Sequence, residues 1–229
     1  MLIDLQDLHF SYSQCAEKPI LNIKHWQVQK QQHTFLHGPS GSGKSTLLNI
    51  LSGVLSGYQG EVNVLGQSLS ALSQRQRDHF RAANIGYVFQ QFNLIPFLSA
   101  QENIQLATQF SQQTQRQASL KHIRQLLSDL NIHSKDSQKP VSRLSIGQQQ
   151  RVAIARALIN QPELLIADEP SSSLDTDNRD QFMSILMERV AITDTTLLFI
   201  SHDQSLARYF SQVQSLPEIN KTSEAHICS

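Results

Sequence analysis

Two runs near the start of the chain, LIDLQDLHF and ILNIKHWQV, alternate apolar and polar residues at the period of a half-buried strand. The turn-like SYSQCAEKP divides them. Trp26 and Val28 share one face of the second run, so residues 2–28 predict antiparallel sheet. The pattern then changes: HTFLHGPSGSGKSTLLNILSGVL reads as a strand, a glycine-rich loop and an apolar helix. A small hairpin is predicted around GEVNVLGQSL, then a polar helix in SQRQRDHFRAA and a buried strand in NIGYVFQ.

From Gln91 to Lys139 β-branched runs become few and glutamines many, while Leu120, Ile123, Leu127 and Leu130 fall on one helical face. This predicts a helical lobe inserted into an α/β domain. After Pro140, RLSIGQQQRVAIARAL reads as a small polar turn, a single glycine and then a helix that begins with three glutamines. ELLIADEP and TTLLFISHD are apolar runs ending in charged or polar residues, as buried parallel strands do when they deliver side chains at their carboxyl ends. The fold class is therefore α/β: a phosphate-loop core with a mainly parallel sheet, an N-terminal antiparallel subdomain and the lobe. Residues 1–90 and 160–216 are assigned to the core, 91–145 to the lobe, and 217–229 to a tail that lacks a glycine turn and carries no predicted function.

Length and charge narrow the partners. At 229 residues the chain can bury a large core, and 19 basic residues balance 19 acidic ones, so no net field draws it to nucleic acid or an anionic membrane. Arg75, Arg77 and Arg81 form a basic cluster, but Asp78 interrupts it and aromatics are sparse, which favours a solvated helix face. Cys15 and Cys228 have neither metal nor redox spacing and are expected as thiols. No segment approaches the ~18 apolar residues of a membrane span, and the expectation is a cytoplasmic chain.

GPSGSGKS, Gly38 to Ser45, matches the phosphate-loop pattern in full. Gly38, Pro39, Ser40, Gly41, Ser42 and Gly43 would curl the backbone so that N–H groups meet phosphate oxygens, with the following helix adding its positive end. Lys44 would reach the β and γ phosphates, Ser45 would sit on Mg²⁺, and Thr46 follows in the same turn. Kinases, GTPases and many ATPases remain open on this motif alone. In LLIADEP, Asp168 is placed to hold Mg²⁺ and Glu169 to polarise an attacking water. Two acids after a strand read alone as a solvated turn; downstream of a phosphate loop they read as this pair. The Ser-x-Gly of LSIGQ, at a helix N-terminus, is either an ordinary cap or a second anion site.

In order along the chain, GPSGSGKST, YVFQQ, LSIGQQQRVAIARAL, LLIADEP, SSLD and ISHD resemble the ATP-binding cassette of ABC transporters over nearly the whole length. The resemblance implies an ATPase that binds ATP and Mg²⁺, pairs head to tail with a second copy of itself, and drives a separate transmembrane permease from the inner face of the membrane. It also implies that Ser145, Gly147 and Gln148 cap ATP held by the other copy. Asp175 would cross that interface, His202 would contact the γ-phosphate, Gln90 (with Gln91 as the neighbouring choice) would sense Mg²⁺ and water, and Tyr12 would stack on adenine. FRAANIGYVFQQFNLIPFLSAQENI is most like the branch serving lipoprotein release, macrolide-type export and cell division.

One departure stands out. Ile146 replaces the family's first glycine, and a β-branched residue resists positive φ, so the expectation is closure with modified hydrolysis. The rival readings are a switch module with little turnover, a soluble cassette without a permease, and a phosphate-loop kinase or GTPase. The last leaves the LSIGQ turn and ISHD unexplained.

Overall fold

The computed structural model describes residues 1–12, 19–110, 120–172 and 175–222. Cys15, Cys228, Ser173 and Leu174 lie outside them. β1 (Ile3–Phe10) and β2 (Leu21–Val28) pair antiparallel, with Leu5 opposite Trp26. β3 (Thr34–His37) leads through the glycine loop into α1 (Lys44–Leu51). β4 (Gln59–Val64) and β5 (Gln67–Ser68) complete a four-stranded antiparallel sheet in the order β2-β1-β4-β5. At Asp7 (φ 48°) the alternation of β1 slips by one residue, so that Leu5 and Leu8 enter the same core, and Gly60 (φ 90°) crosses it so closely that a Cβ there would meet the Asp7 carbonyl.

α2 (Gln74–Asn84) is the polar helix and has no buried residue; Arg81 pairs with Asp78 and Arg77 donates to the Leu72 carbonyl. β6 (Ile85–Val88) follows, then α3 (Ala100–Gln109), α4 (Leu120–Asp129), α5 (Ser134–Ser137) and α6 (Ile146–Leu158). β7 (Leu164–Asp168), α7 (Thr176–Ile192), β8 (Thr196–Ile200), a 3₁₀ turn (Gln204–Tyr209), β9 (Gln212–Ser215) and α8 (Leu216–Ile219) end the described chain. The second sheet is parallel throughout, in the order β6-β7-β8-β3-β9.

Both faces of the inner strands β7, β8 and β3 are covered, which explains why these read as apolar runs, whereas the edge strand β9 (QVQS) is polar. Leu164, Ile166, Leu198 and Ile200 join α1 and the antiparallel sheet in one core. Leu165, Ala167, Leu197 and Phe199 face the other way, into a core with α6 and α7. Ile104, Ile123, Leu127, Leu130 and Val141 of the helical segment belong to that same second core, so α6 is the wall that segment shares with the sheet.

Three expectations are corrected. Leu120 is 46% exposed, because it stands on the first turn of α4 while Ile123, Leu127 and Leu130 carry the apolar face. The helix of the LSIGQ turn starts at Ile146, ahead of its glutamines, since Ser145 caps it. The chain after Ser205 continues as an edge strand and a one-turn helix beyond the assigned boundary at 216, with Leu216 and Asn220 buried.

Gly86 fixes how closely α6 approaches β6: a Cβ there would lie 2.4 Å from the Ala157 carbonyl oxygen. Gly86→Ala is therefore expected to lower unfolding free energy by about 2–3 kcal/mol, as overpacking does. Urea unfolding of the two proteins measures it.

Candidate functional site

The parallel strands β3, β7 and β8 end side by side, and the segments that leave them line a cleft of about 730 Å³. β3 delivers the glycine loop. Gly43 caps α1 with φ 98°, a left-handed conformation that glycine tolerates, and a Cβ there would also press on Leu21 at 2.9 Å. Gly41 (φ 79°) has open space on that side. Among the described residues no protein acceptor takes the N–H groups of Gly43, Lys44, Ser45 or Thr46, so the start of α1 presents a row of free donors and a positive helix end.

The buried Lys44 ammonium folds back to donate to the Gly38 and Pro39 carbonyls at 2.8 and 2.9 Å. The Ser40, Gly41, Gly43, Ser45 and Thr46 positions line the cleft; Gly38, Pro39 and Ser42 form the back of the loop. Ser42 Oγ is buried with no hydrogen-bond partner. At the open end, the Tyr12 ring sits edge-on to Phe10 and its hydroxyl lies 3.1 Å from Thr46 Oγ1.

β7 contributes the acids. Asp168 ends the strand and Glu169 turns left-handed (φ 46°), while its N–H donates to the Ile200 carbonyl at 2.9 Å. That turn carries the Glu169 carboxylate across to β8, where its Oε2 is 2.9 Å from Nδ1 of His202. A non-glycine residue held in this region is strained, and such strain concentrates at functional sites. Burial, and then the neighbouring Glu169 charge, push the Asp168 carboxyl above its ordinary range; Lys44 and the Tyr87 hydroxyl at 3.5 Å oppose this. Burial foremost, then Asp168, in turn raises the Tyr87 phenol.

Gln90 reaches the cleft and donates to Ser172 Oγ at 3.4 Å, so of the adjacent glutamines Gln90 is the one at the site. The loop beyond it is held from α6: Arg156 donates to the carbonyls of Phe92 and Asn93, both left-handed, at 2.6 and 2.5 Å. Among the described residues no group of three or more His, Cys, Asp or Glu could hold a metal. The hydroxyl of Ser45, the amide of Gln90 and the single carboxylate of Asp168 suit instead a cation that shares its shell with phosphate oxygens and water, as Mg²⁺ does.

Ser145, Gly147, Gln148 and Asp175 do not line this cleft. Ser145 and Gln148 form a reciprocal capping box: Gln148 N–H donates to Ser145 Oγ at 3.3 Å and Ser145 N–H to Gln148 Oε1 at 3.0 Å. Gly147 is helical, and a Cβ there would meet only Arg151 Nη2, at 3.7 Å. Ile146 is helical too and 54% exposed; the position has no positive φ, so a β-branched residue stands there without backbone strain. Asp175 caps α7, accepting from Asn178 N–H at 2.9 Å.

Sequence reasoning missed several residues around the cleft. Ile20 lines it from the start of β2, and Tyr87 supports Asp168; only their strand alternation hinted at either. Asp203, beside His202, pairs with Arg179, and Asp180 pairs with Arg208 at 2.6 Å, so α7 and the 3₁₀ turn after β8 are joined by two reciprocal ion pairs.

The family model described as ABC transporter matches residues 21–172. The lipoprotein-releasing system ATP-binding protein LolD of Nitrobacter hamburgensis is 38% identical over 207 residues, covering 90% of this chain and 88% of that protein. The uncharacterized ABC transporter ATP-binding protein YbbA of Escherichia coli is 39% identical over 180 residues, covering 79% of this chain and 78% of that one. Among solved structures, the dimeric post-hydrolysis state of an ATP-binding cassette bound to ADP and Pi superposes with a TM-score of 0.81 at 31% identity, covering 93% of this chain and 94% of that one.

The raised Asp168 carboxyl has a consequence for stability. Its charged form costs folding free energy at neutral pH, and the cost disappears as the pH falls below the ordinary carboxylate range. Asp168→Asn is expected to raise the melting temperature of the nucleotide-free protein at pH 7, with the gain gone below about pH 4. Calorimetry across that range checks the sign.

Proposed function

This chain belongs to the ABC transporter family, and from that premise we propose that it is the ATP-hydrolysing subunit of a transporter whose membrane-spanning part is a separate permease. The observation that carries the reading is the meeting of the glycine loop, Asp168, Glu169 and His202 in one cleft. The free N–H groups of α1 would take phosphate oxygens, and Lys44 would exchange two loop carbonyls for them. Ser45, Gln90 and Asp168 would hold Mg²⁺, which when bound supplies charge neutralisation for the transferred phosphoryl group. Glu169 would orient an attacking water and accept its proton, with His202 fixing the carboxylate through their hydrogen bond. Tyr12 and Ile20 would flank the base.

Two copies would close head to tail, with Ser145, Gly147 and Gln148 of each facing the nucleotide of the other. Two features support this: these residues lie outside their own cleft, and among the described residues nothing requires a glycine at 147. Asp175 would approach the same interface. A groove of about 660 Å³ between α2, β6 and α6, edged by the exposed Val54, Phe89 and Phe110, is the surface we assign to the permease. Among the described residues no helix is long and apolar enough to cross a membrane. Lipoprotein release or export is the branch we assign, supported by the similarity to LolD; the subunit would then sit at the cytoplasmic face of the membrane, held there by the permease.

Gly147→Ala separates a trans role from a structural one. The substitution suits a helix and is expected to raise stability by about 0.5 kcal/mol. The affinity of the monomer for ATP should not change, while turnover falls by about tenfold or more. Unchanged turnover would remove the basis for the trans assignment.

A further inference from the structure

The last described segment of the chain reaches the back of the nucleotide cleft. Asn220 is 6% exposed although its side chain ends in a polar amide, and that amide makes three hydrogen bonds, using both of its N–H donors. Its Oδ1 accepts from the Asn22 N–H at 2.6 Å. Its Nδ2 donates to the Ile20 carbonyl at 2.9 Å and to the Ser42 carbonyl at 3.2 Å. Ile20 is an apolar wall of the cleft, and Ser42 belongs to the glycine loop.

α8 presents this amide. Asn220 N–H donates to the Leu216 carbonyl at 2.7 Å, closing the turn, and Lys221 and Asn22 exchange hydrogen bonds at 2.8 and 2.9 Å. Pro217 and Leu216 pack behind Gly38, where a Cβ would approach them to 3.3 and 3.4 Å. The helix therefore stands as a solid backing to the glycine loop. A carbonyl oxygen at Ser42 points away from anion-binding N–H groups, and a donor behind it holds the peptide plane in the orientation that aims the next N–H groups into the cleft.

We propose that Asn220 is a positioning residue of the nucleotide site: by donating to the Ile20 and Ser42 carbonyls together, it locks the apolar wall of the cleft to the phosphate loop. The inference rests on reading the cleft as the ATP site. Its consequence is that a segment outside the nucleotide-binding motifs sets the affinity for ATP.

The test is steady-state ATPase kinetics on the full chain. Asn220→Asp keeps the acceptor for Asn22 and removes both donors; Asn220→Leu removes all three bonds at similar volume. Asn22→Ala loosens the same clip by removing only its bond to Lys221. Both Asn220 variants are expected to raise KM for ATP about tenfold, the effect of two lost hydrogen bonds, with kcat held within about twofold. Asn22→Ala should leave KM unchanged. A role in folding alone would instead reduce kcat through the active fraction, and that result, or an unchanged KM, or an equal rise in Asn22→Ala, overturns the proposal. If Asn220→Leu fails to fold, Asn220→Asp carries the comparison. Lys44→Ala tests the underlying reading separately: ATP binding that survives it overturns the cleft assignment itself.

Discussion

Leu36 of β3 and Asp168 of β7 both lie opposite Ile200 of β8, so three parallel strands end at one level. The rest of the site depends on this register. One residue of slip in β7 would turn Asp168 to the other face and carry Glu169 away from His202. The register is held by burial on both faces, because each strand alternates its apolar side chains between two cores. The Glu169 N–H bond to Ile200 extends the pairing past the strand end and holds the left-handed turn that aims the carboxylate.

The same arrangement ties the cleft to distant surfaces. α6 carries the capped Ser145 at one end, Arg156 against the loop after Gln90 along its length, and the Ala157 carbonyl against Gly86 near the other end. α7 begins at Asp175 and is joined by Arg179 and Asp180 to the turn that follows His202. Both helices are thus joined by direct contacts to the segments that follow the strand ends: α6 to the loop after Gln90, and α7 to the turn after His202.

Much of this was legible in the sequence, because strand-end motifs are local. The phosphate loop, the paired acids at the end of β7 and the histidine after β8 each follow a short apolar run of the kind a buried parallel strand shows. At Ile146 the concern over a positive φ came from the glycine it replaces, whereas its own backbone is an ordinary first helical turn capped by Ser145. Asn220 was illegible for a different reason. Its partners at Ile20, Asn22 and Ser42 are about two hundred residues away in sequence, and a polar residue in a short tail carries no periodic signal. Tyr87 and the ion pairs of Arg179 and Asp180 are likewise contacts of the folded chain.

On this reading one cleft holds ATP for hydrolysis and a second copy of the chain completes it. The direct measurement is the solution mass of Glu169→Gln by light scattering with and without Mg·ATP, beside the ATPase rate of the unaltered protein. The expected result is a monomer that doubles in mass only with Mg·ATP, from a parent protein that turns ATP over. A variant that binds ATP and stays monomeric, or one that still hydrolyses at the parent rate, would contradict it.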